Sequence, residues 1–186
     1  MKRRDVVAAS LGGLVLPSLA RETAAQAAPA ANPAPQVLEW RRYQLRFGPM
    51  GARLAEYQKN VLLPALNRAG VGPVGVFNVQ VGPDIPAVYM LLPHPSAESV
   101  VALSGRLAQD AQYQRDATTL RNLPASDPPY VRREGSLLTT FASTPKVEVP
   151  AGPLAAPSRV FELRRYESHS EAGSRKKIEM FEQGGE

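Results

Sequence analysis

The chain contains no cysteine. That excludes disulfide staples, a thiolate nucleophile and every cysteine-based metal site. Histidine is almost as scarce: His94 and His169 are the only two, far apart and in unlike contexts. A histidine-rich metal centre or a Ser-His-Asp triad is therefore disfavoured. Aromatic residues make up only 6%. No Lys/Arg run is interleaved with them, which speaks against nucleic acid as a partner. No apolar run is long enough to cross a bilayer. What is present is a chain of 186 residues, 44% apolar and 21% charged, with a formal charge of +5. That is enough for one buried core plus an appendage.

Residues 1–27 read as an export signal. Lys2-Arg3-Arg4 is a positive head, Val6 to Leu19 is an apolar stretch diluted by Ser10, Gly12, Gly13 and Pro17, and Ala25-Gln26-Ala27 offers small residues for cleavage. Arg3-Arg4 resembles a twin-arginine signal, although Val6-Val7 stands where leucine or an aromatic is frequent, so the general secretion route stays open. The mature protein is expected to be exported, in the periplasm, with no stable membrane span after signal removal.

Residues 28–36 are a Pro/Ala-rich spacer. The pattern then predicts a strand over Val37–Phe47 and a helix over Ala52–Ala69. In that helix Leu54, Tyr57, Val61, Ala65 and Leu66 form one stripe, Pro64 is expected to kink or restart it, and Gly70 closes it. Strands follow at Val74–Val81, with Gly75 as a close-approach point, and at Ala87–Leu92, apolar enough to be covered on both faces. Ser96 is a candidate N-cap for a helix through Leu107, and Asp110 caps a second helical stretch to Leu123. A last strand is predicted over Tyr130–Ala142. The order is β-α-β-β-α-β, so residues 37–142 are expected to form a ferredoxin-like α+β sandwich. Four strands backed by two helices leave one sheet face bare. A sibling sheet is the natural cover, giving a paired barrel.

After a Pro-rich linker at 143–158, the first strand returns. Val37-Leu38-Glu39-Trp40-Arg41-Arg42-Tyr43 aligns with Val160-Phe161-Glu162-Leu163-Arg164-Arg165-Tyr166, identical at five of seven positions. Ile178 and Phe181 match Leu54 and Tyr57 after one inserted residue. Such recurrence signals a duplicated unit. Residues 159–186 are therefore expected to be the strand and helix that open a second unit, cut short before its remaining strands.

Glu39-Trp40-Arg41-Arg42-Tyr43 resembles the E-L-R-x-Y opening of NIPSNAP domains, and Glu162-Leu163-Arg164-Arg165-Tyr166 matches it more closely. Leu63-Pro64-Ala65, Val74-Gly75-Val76-Phe77, Tyr89-Met90-Leu91-Leu92 and Asp110 before Tyr113 add to the resemblance. It implies the dimeric α+β barrel type of architecture and a biochemical role that is poorly defined.

Strand alternation puts Glu39, Arg41 and Tyr43 on one face and Leu38, Trp40 and Arg42 on the other. The Leu/Trp face is assigned to the helices, so Glu39, Arg41 and Tyr43 are expected inside the barrel, facing the partner sheet. They form the candidate ligand-binding file, suited to a polar or anionic small molecule. The competing reading takes precedence: Glu39 and Arg41 neutralise each other and Tyr43 fills space, because buried charges need partners before ligands. His94, between two prolines, is a candidate general base or haem ligand, but an exposed loop histidine is the simpler reading. No metal or cofactor is expected. The leading functional reading is an exported module that associates with itself through its open sheet face, as a homodimer or with a tandem second domain. The rival is a cofactor-independent oxygenase, isomerase or haem-binding enzyme of the same architecture, which rests on fold analogy.

Overall fold

The structure is a computed structural model that describes residues 34–149, 151 and 160–184. The residues read as an export signal, 1–27, and parts of the expected spacer and linker lie outside the described residues. Strand β1 (Val37–Gln44) leads into helix α1 (Pro49–Tyr57), a π-helical turn (Gln58–Leu62) and α2 (Leu63–Arg68). Next come β2 (Gly75–Asn78), β3 (Ala87–His94), α3 (Ala97–Gln109), α4 (Ala111–Asp116), α5 (Thr118–Arg121) and β4 (Arg132–Thr139). Helix α6 (Glu171–Glu182) follows the linker.

The sheet is antiparallel throughout, in the order β2-β3-β1-β4. That is the split βαβ arrangement, with β3 inserted between β1 and β2. Local chemistry sets the element ends. Gly48, at a φ of 113°, turns the chain from β1 into α1, and Gly70, at a φ of 73°, closes α2. The Ser96 hydroxyl accepts from the Ser99 N–H at 3.3 Å, and the Asp110 carboxylate accepts from the Tyr113 N–H at 2.9 Å. Both expected caps are therefore in place.

The first helical stretch restarts at the proline, as one of the two expectations for Pro64 has it: α2 begins at Leu63, with Pro64 in its first turn. A π-helical turn comes just before Pro64, where the Leu63 N–H bonds to the Gln58 carbonyl five residues back. Pro64 brings no N–H to the ladder, and a wider turn ahead of it accommodates the loss. Strand β2 is shorter than the pattern predicts, and β3 continues through Pro93 to His94, pairing Val37 with His94.

The core lies between the sheet and α1, the π turn, α2 and α3. Tyr43, Val88, Met90 and Leu92 from the strands meet Leu54, Leu62, Ala65, Leu66, Leu103 and Leu107 from the helices. This overturns the expected sidedness of β1. Glu39, Arg41 and Tyr43 point into the helices and are buried, while Leu38, Trp40 and Arg42 occupy the opposite face, half-buried. Alternation says which residues share a face but not which face the helices cover. Register decides it: Tyr43, Arg41 and Glu39 sit opposite Val88, Met90 and Leu92, the residues of β3 that reach the core.

The repeat of β1 takes a different form. Residues 160–168 are in no strand, whereas α6 forms where the repeat predicts a helix, with the Ser170 hydroxyl accepting from the Gly173 N–H at 3.1 Å.

Candidate functional site

The sequence-predicted file is a closed polar cluster beneath the sheet. Arg41 donates from Nε to Glu39 Oε1 at 2.5 Å and from Nη2 to Oε2 at 2.8 Å. His94, wholly buried at the end of β3, is not on an exposed loop as expected. Its Nε2 lies 3.7 Å from Glu39 Oε2, and its Nδ1 is 3.2 Å from Ser99 Oγ. Arg106 on α3 donates to Ser99 O at 2.8 Å, to Ser99 Oγ at 3.0 Å and to Ala69 O at 2.7 Å. The structure thus joins Glu39 and Arg41 to a histidine 53 positions beyond Arg41 in the chain, because β1 and β3 are neighbours.

Electrostatics fit a structural cluster. Burial pulls the Arg41 pKa down, but the Glu39 carboxylate more than compensates and holds it above the ordinary guanidinium value. Burial pushes His94 below its ordinary value, against the opposing pull of Glu39. Burial also raises the Tyr43 phenol, with Arg41 pulling the other way. At neutral pH the cluster therefore holds a charged guanidinium beside an uncharged imidazole. The Tyr43 ring packs edge-on against Tyr130, with centroids 5.3 Å apart. Among the described residues no group of three or more His, Asp or Glu is placed to hold a metal ion. A shallow groove of about 280 Å³ runs past Tyr57, Asn60, Asp116 and Thr119, beside the π turn, and none of Glu39, Arg41, Tyr43 or His94 lines it.

The opposite face of the sheet is the more distinctive surface. Trp40 stacks on Tyr89, with centroids 5.1 Å apart and planes at 21°, and Phe77 leans toward Trp40 at 6.1 Å. Leu38 and Leu91 extend this apolar centre on neighbouring strands. The Phe77 ring lies over Gly75 so closely that a Cβ there would meet it at 2.6 Å, which is the close approach the glycine foreshadows. Charge borders the patch. Arg42 pairs with Asp84 at 2.7 Å and Glu134 at 2.9 Å, donates to Gln44, and shares Asp84 with the Tyr89 hydroxyl, which donates at 2.7 Å. Sequence reasoning set Trp40 in the core and passed over Tyr89 and Phe77. The signal that finds them is the register, which places Phe77 opposite Tyr89 and Tyr89 opposite Arg42 on one face.

The repeat segment touches this face. Phe161 meets Phe77 edge-on, with centroids 5.2 Å apart. Asp84 is held below its ordinary value by the Tyr89 hydroxyl first, against the opposing effect of burial, then by Arg42, with Arg165 adding to the effect. On its other side the segment carries an ion pair, Arg164 to Glu162 at 2.9 Å, and Tyr166 packs on Phe181 of α6 at 5.4 Å.

Residues 38–125 match the family model for NIPSNAP. No curated protein matches the chain. Among solved structures, a NIPSNAP family protein from Agrobacterium tumefaciens is 21% identical, with 55% of this chain and 90% of that chain covered at a TM-score of 0.45. An uncharacterised NIPSNAP-like domain protein from Burkholderia xenovorans is 19% identical, with 67% and 97% covered and a TM-score of 0.46. A monooxygenase of Streptomyces coelicolor, solved with nanaomycin D, is 11% identical, with 62% and 93% covered and a TM-score of 0.41.

Proposed function

We propose that this chain, whose residues 38–125 match the NIPSNAP family model, is an exported association module that packs its open sheet face against the same face of a second copy. The observation that carries this reading is the Trp40–Tyr89–Phe77 patch, which lies on the sheet face opposite the domain's own helices. Half-buried aromatics at the centre of a face, with paired charges at one border, have the anatomy of an interface core beside a polar rim. The face also suits a twofold partner. Arg42 stands beside Asp84 and Glu134, so each copy offers both signs at the border and a rotated copy meets its complement. The contact of Phe161, from the repeat of β1, with Phe77 supports the same reading, because a segment with the sequence of β1 already finds this surface.

An enzyme of this architecture would need a base that meets its substrate. Glu39 and His94 are shut between sheet and helices and engaged with Arg41 and Ser99, which supports a packing role for Glu39, Arg41 and Tyr43. Export rests on residues 1–27. Replacing Arg3 and Arg4 with lysine and fractionating cells tests it, with retention in the cytoplasm expected for the twin-arginine route.

The association itself is tested by sedimentation of the full chain. The wild type is expected to gain mass with concentration. Trp40→Glu is expected to stay monomeric with an essentially unchanged melting temperature. Equal association of the two proteins would overturn the proposal.

A further inference from the structure

We infer that Val160–Tyr166 acts as an intramolecular sheath, taking the position of a sibling's first strand on the open sheet face and so competing with a second copy for it. The inference rests on the association reading above and adds a regulator to that surface.

Three observations carry it. The first is sidedness. In β1, Glu39, Arg41 and Tyr43 face the helices, and Leu38, Trp40 and Arg42 face outward. The repeat keeps that division: Phe161 meets Phe77 and Arg165 acts on Asp84, both on the open face, while Glu162, Arg164 and Tyr166 line a groove with Phe141 and Phe181. The segment thus presents to the first sheet the side that a sibling strand would present.

The second is anchorage. The Glu182 carboxylate, on α6, accepts from the backbone N–H groups of Ala142 at 2.8 Å and Ser143 at 2.9 Å. Phe181 stacks on Phe141 at 5.7 Å and meets Tyr166 at 5.4 Å. Helix α6 is therefore tied to the chain just beyond β4, and the segment before it is held at the sheet. Such tethering gives a contact an effective concentration in the millimolar range.

The third is weakness of attachment. Residues 160–168 belong to no strand, so side chains rather than a backbone ladder hold them. Phe161 and Leu163 stay more than half exposed. A cover held this way yields to a partner that buries the whole face.

The absence of cysteine makes the test clean. In the full chain, Phe77→Cys is combined with Phe161→Cys, or with Glu162→Cys as the opposite-side control, and treated at high dilution with a short bis-maleimide. An intramolecular cross-link that forms at least about tenfold faster with position 161 than with 162 is expected, given alternating sides along an extended segment. Equal rates, no cross-link, or a cross-link between chains would overturn the placement. In parallel, Phe161→Asp with Leu163→Asp, otherwise the full chain, should tighten self-association about tenfold, because the open face is freed from its tethered competitor. Unchanged or weaker association would overturn the competition. If the position-161 cross-link forms but neither protein associates at any concentration, the competition fails together with the association reading. If association is intact and the cross-link does not form, this inference fails alone.

Discussion

Val37–Tyr43 and Val160–Tyr166 share five of seven residues and end in different states. The first is the centre of a four-stranded sheet, laddered on both sides. The second belongs to no strand. Both hold an ion pair two residues apart, Glu39–Arg41 and Glu162–Arg164. In the first pair the side chains are 9% and 12% exposed, and in the second 52% and 68%. The same motif is thus a buried, fully engaged pair in one place and a solvated one in the other. The seven residues do not by themselves dictate a strand. Neighbours supply it: β3 and β4 give β1 its ladder, and α1 to α3 give it a core to face. Among the described residues the repeat packs with α6, whose side chains are nowhere fully buried.

The sharpest way to break this comparison is to remove each arginine. Arg41→Met leaves the Glu39 carboxylate unpaired in the core and should lower stability by about 3–5 kcal/mol in chemical denaturation. Arg164→Met should leave the melting curve unmoved, since water already solvates its partner. Similar losses from both would mean that the two copies are equally built into the fold.

The helices extend the contrast at somewhat lower cost. Leu54→Ala, at a position 1% exposed, should cost about 2–4 kcal/mol through lost burial and the cavity left behind. Ile178→Ala is its counterpart in the repeat, on α6, where the side chain is 48% exposed. It should stay within about 0.5 kcal/mol of the wild type. A large loss at Ile178 would point to a second core that the comparison denies.

The two histidines give the smallest effect and sharpen the contrast by pH. Burial holds His94 below the ordinary imidazole value of 6.5, so the folded chain binds its proton less readily than the unfolded chain. Its contribution to stability is complete above that value and is lost as pH falls below it toward the folded pKa. Stability measured by denaturant should therefore decline between pH 7 and pH 5. His94→Gln should flatten that slope, and His169→Gln, at an exposed position, should not. A slope that follows His169 instead would place the sensitive group in the wrong copy.

Much of the fold is legible in the sequence because its signals are local. Ser96 and Asp110 cap helices through their own side chains, and Gly70 ends α2 through its own backbone. The β-α-β-β-α-β order follows from such punctuation, and with it the strand order. The site is less legible because it depends on pairings distant in sequence. Glu, Arg and Tyr against Leu, Trp and Arg reads as a polar face and an apolar one, and a simple transfer argument buries the tryptophan. Bidentate pairing of Glu39 with Arg41 removes the penalty that argument relies on. His94 is equally deceptive: two flanking prolines suggest a loop, yet β3 accommodates Pro93 opposite Leu38 and carries the imidazole into the core. The π turn before Pro64 has no local signature beyond the proline itself.

Trp40 is the only tryptophan in the chain and stands at the centre of the open face, so its fluorescence reports on that surface alone. The most direct measurement follows Trp40 emission and sedimentation mass together as the full chain is concentrated. Emission is expected to shift to the blue in step with dimer formation, as water leaves the indole. Dimer formation with an unmoved spectrum, or a chain that stays monomeric throughout, would contradict that expectation.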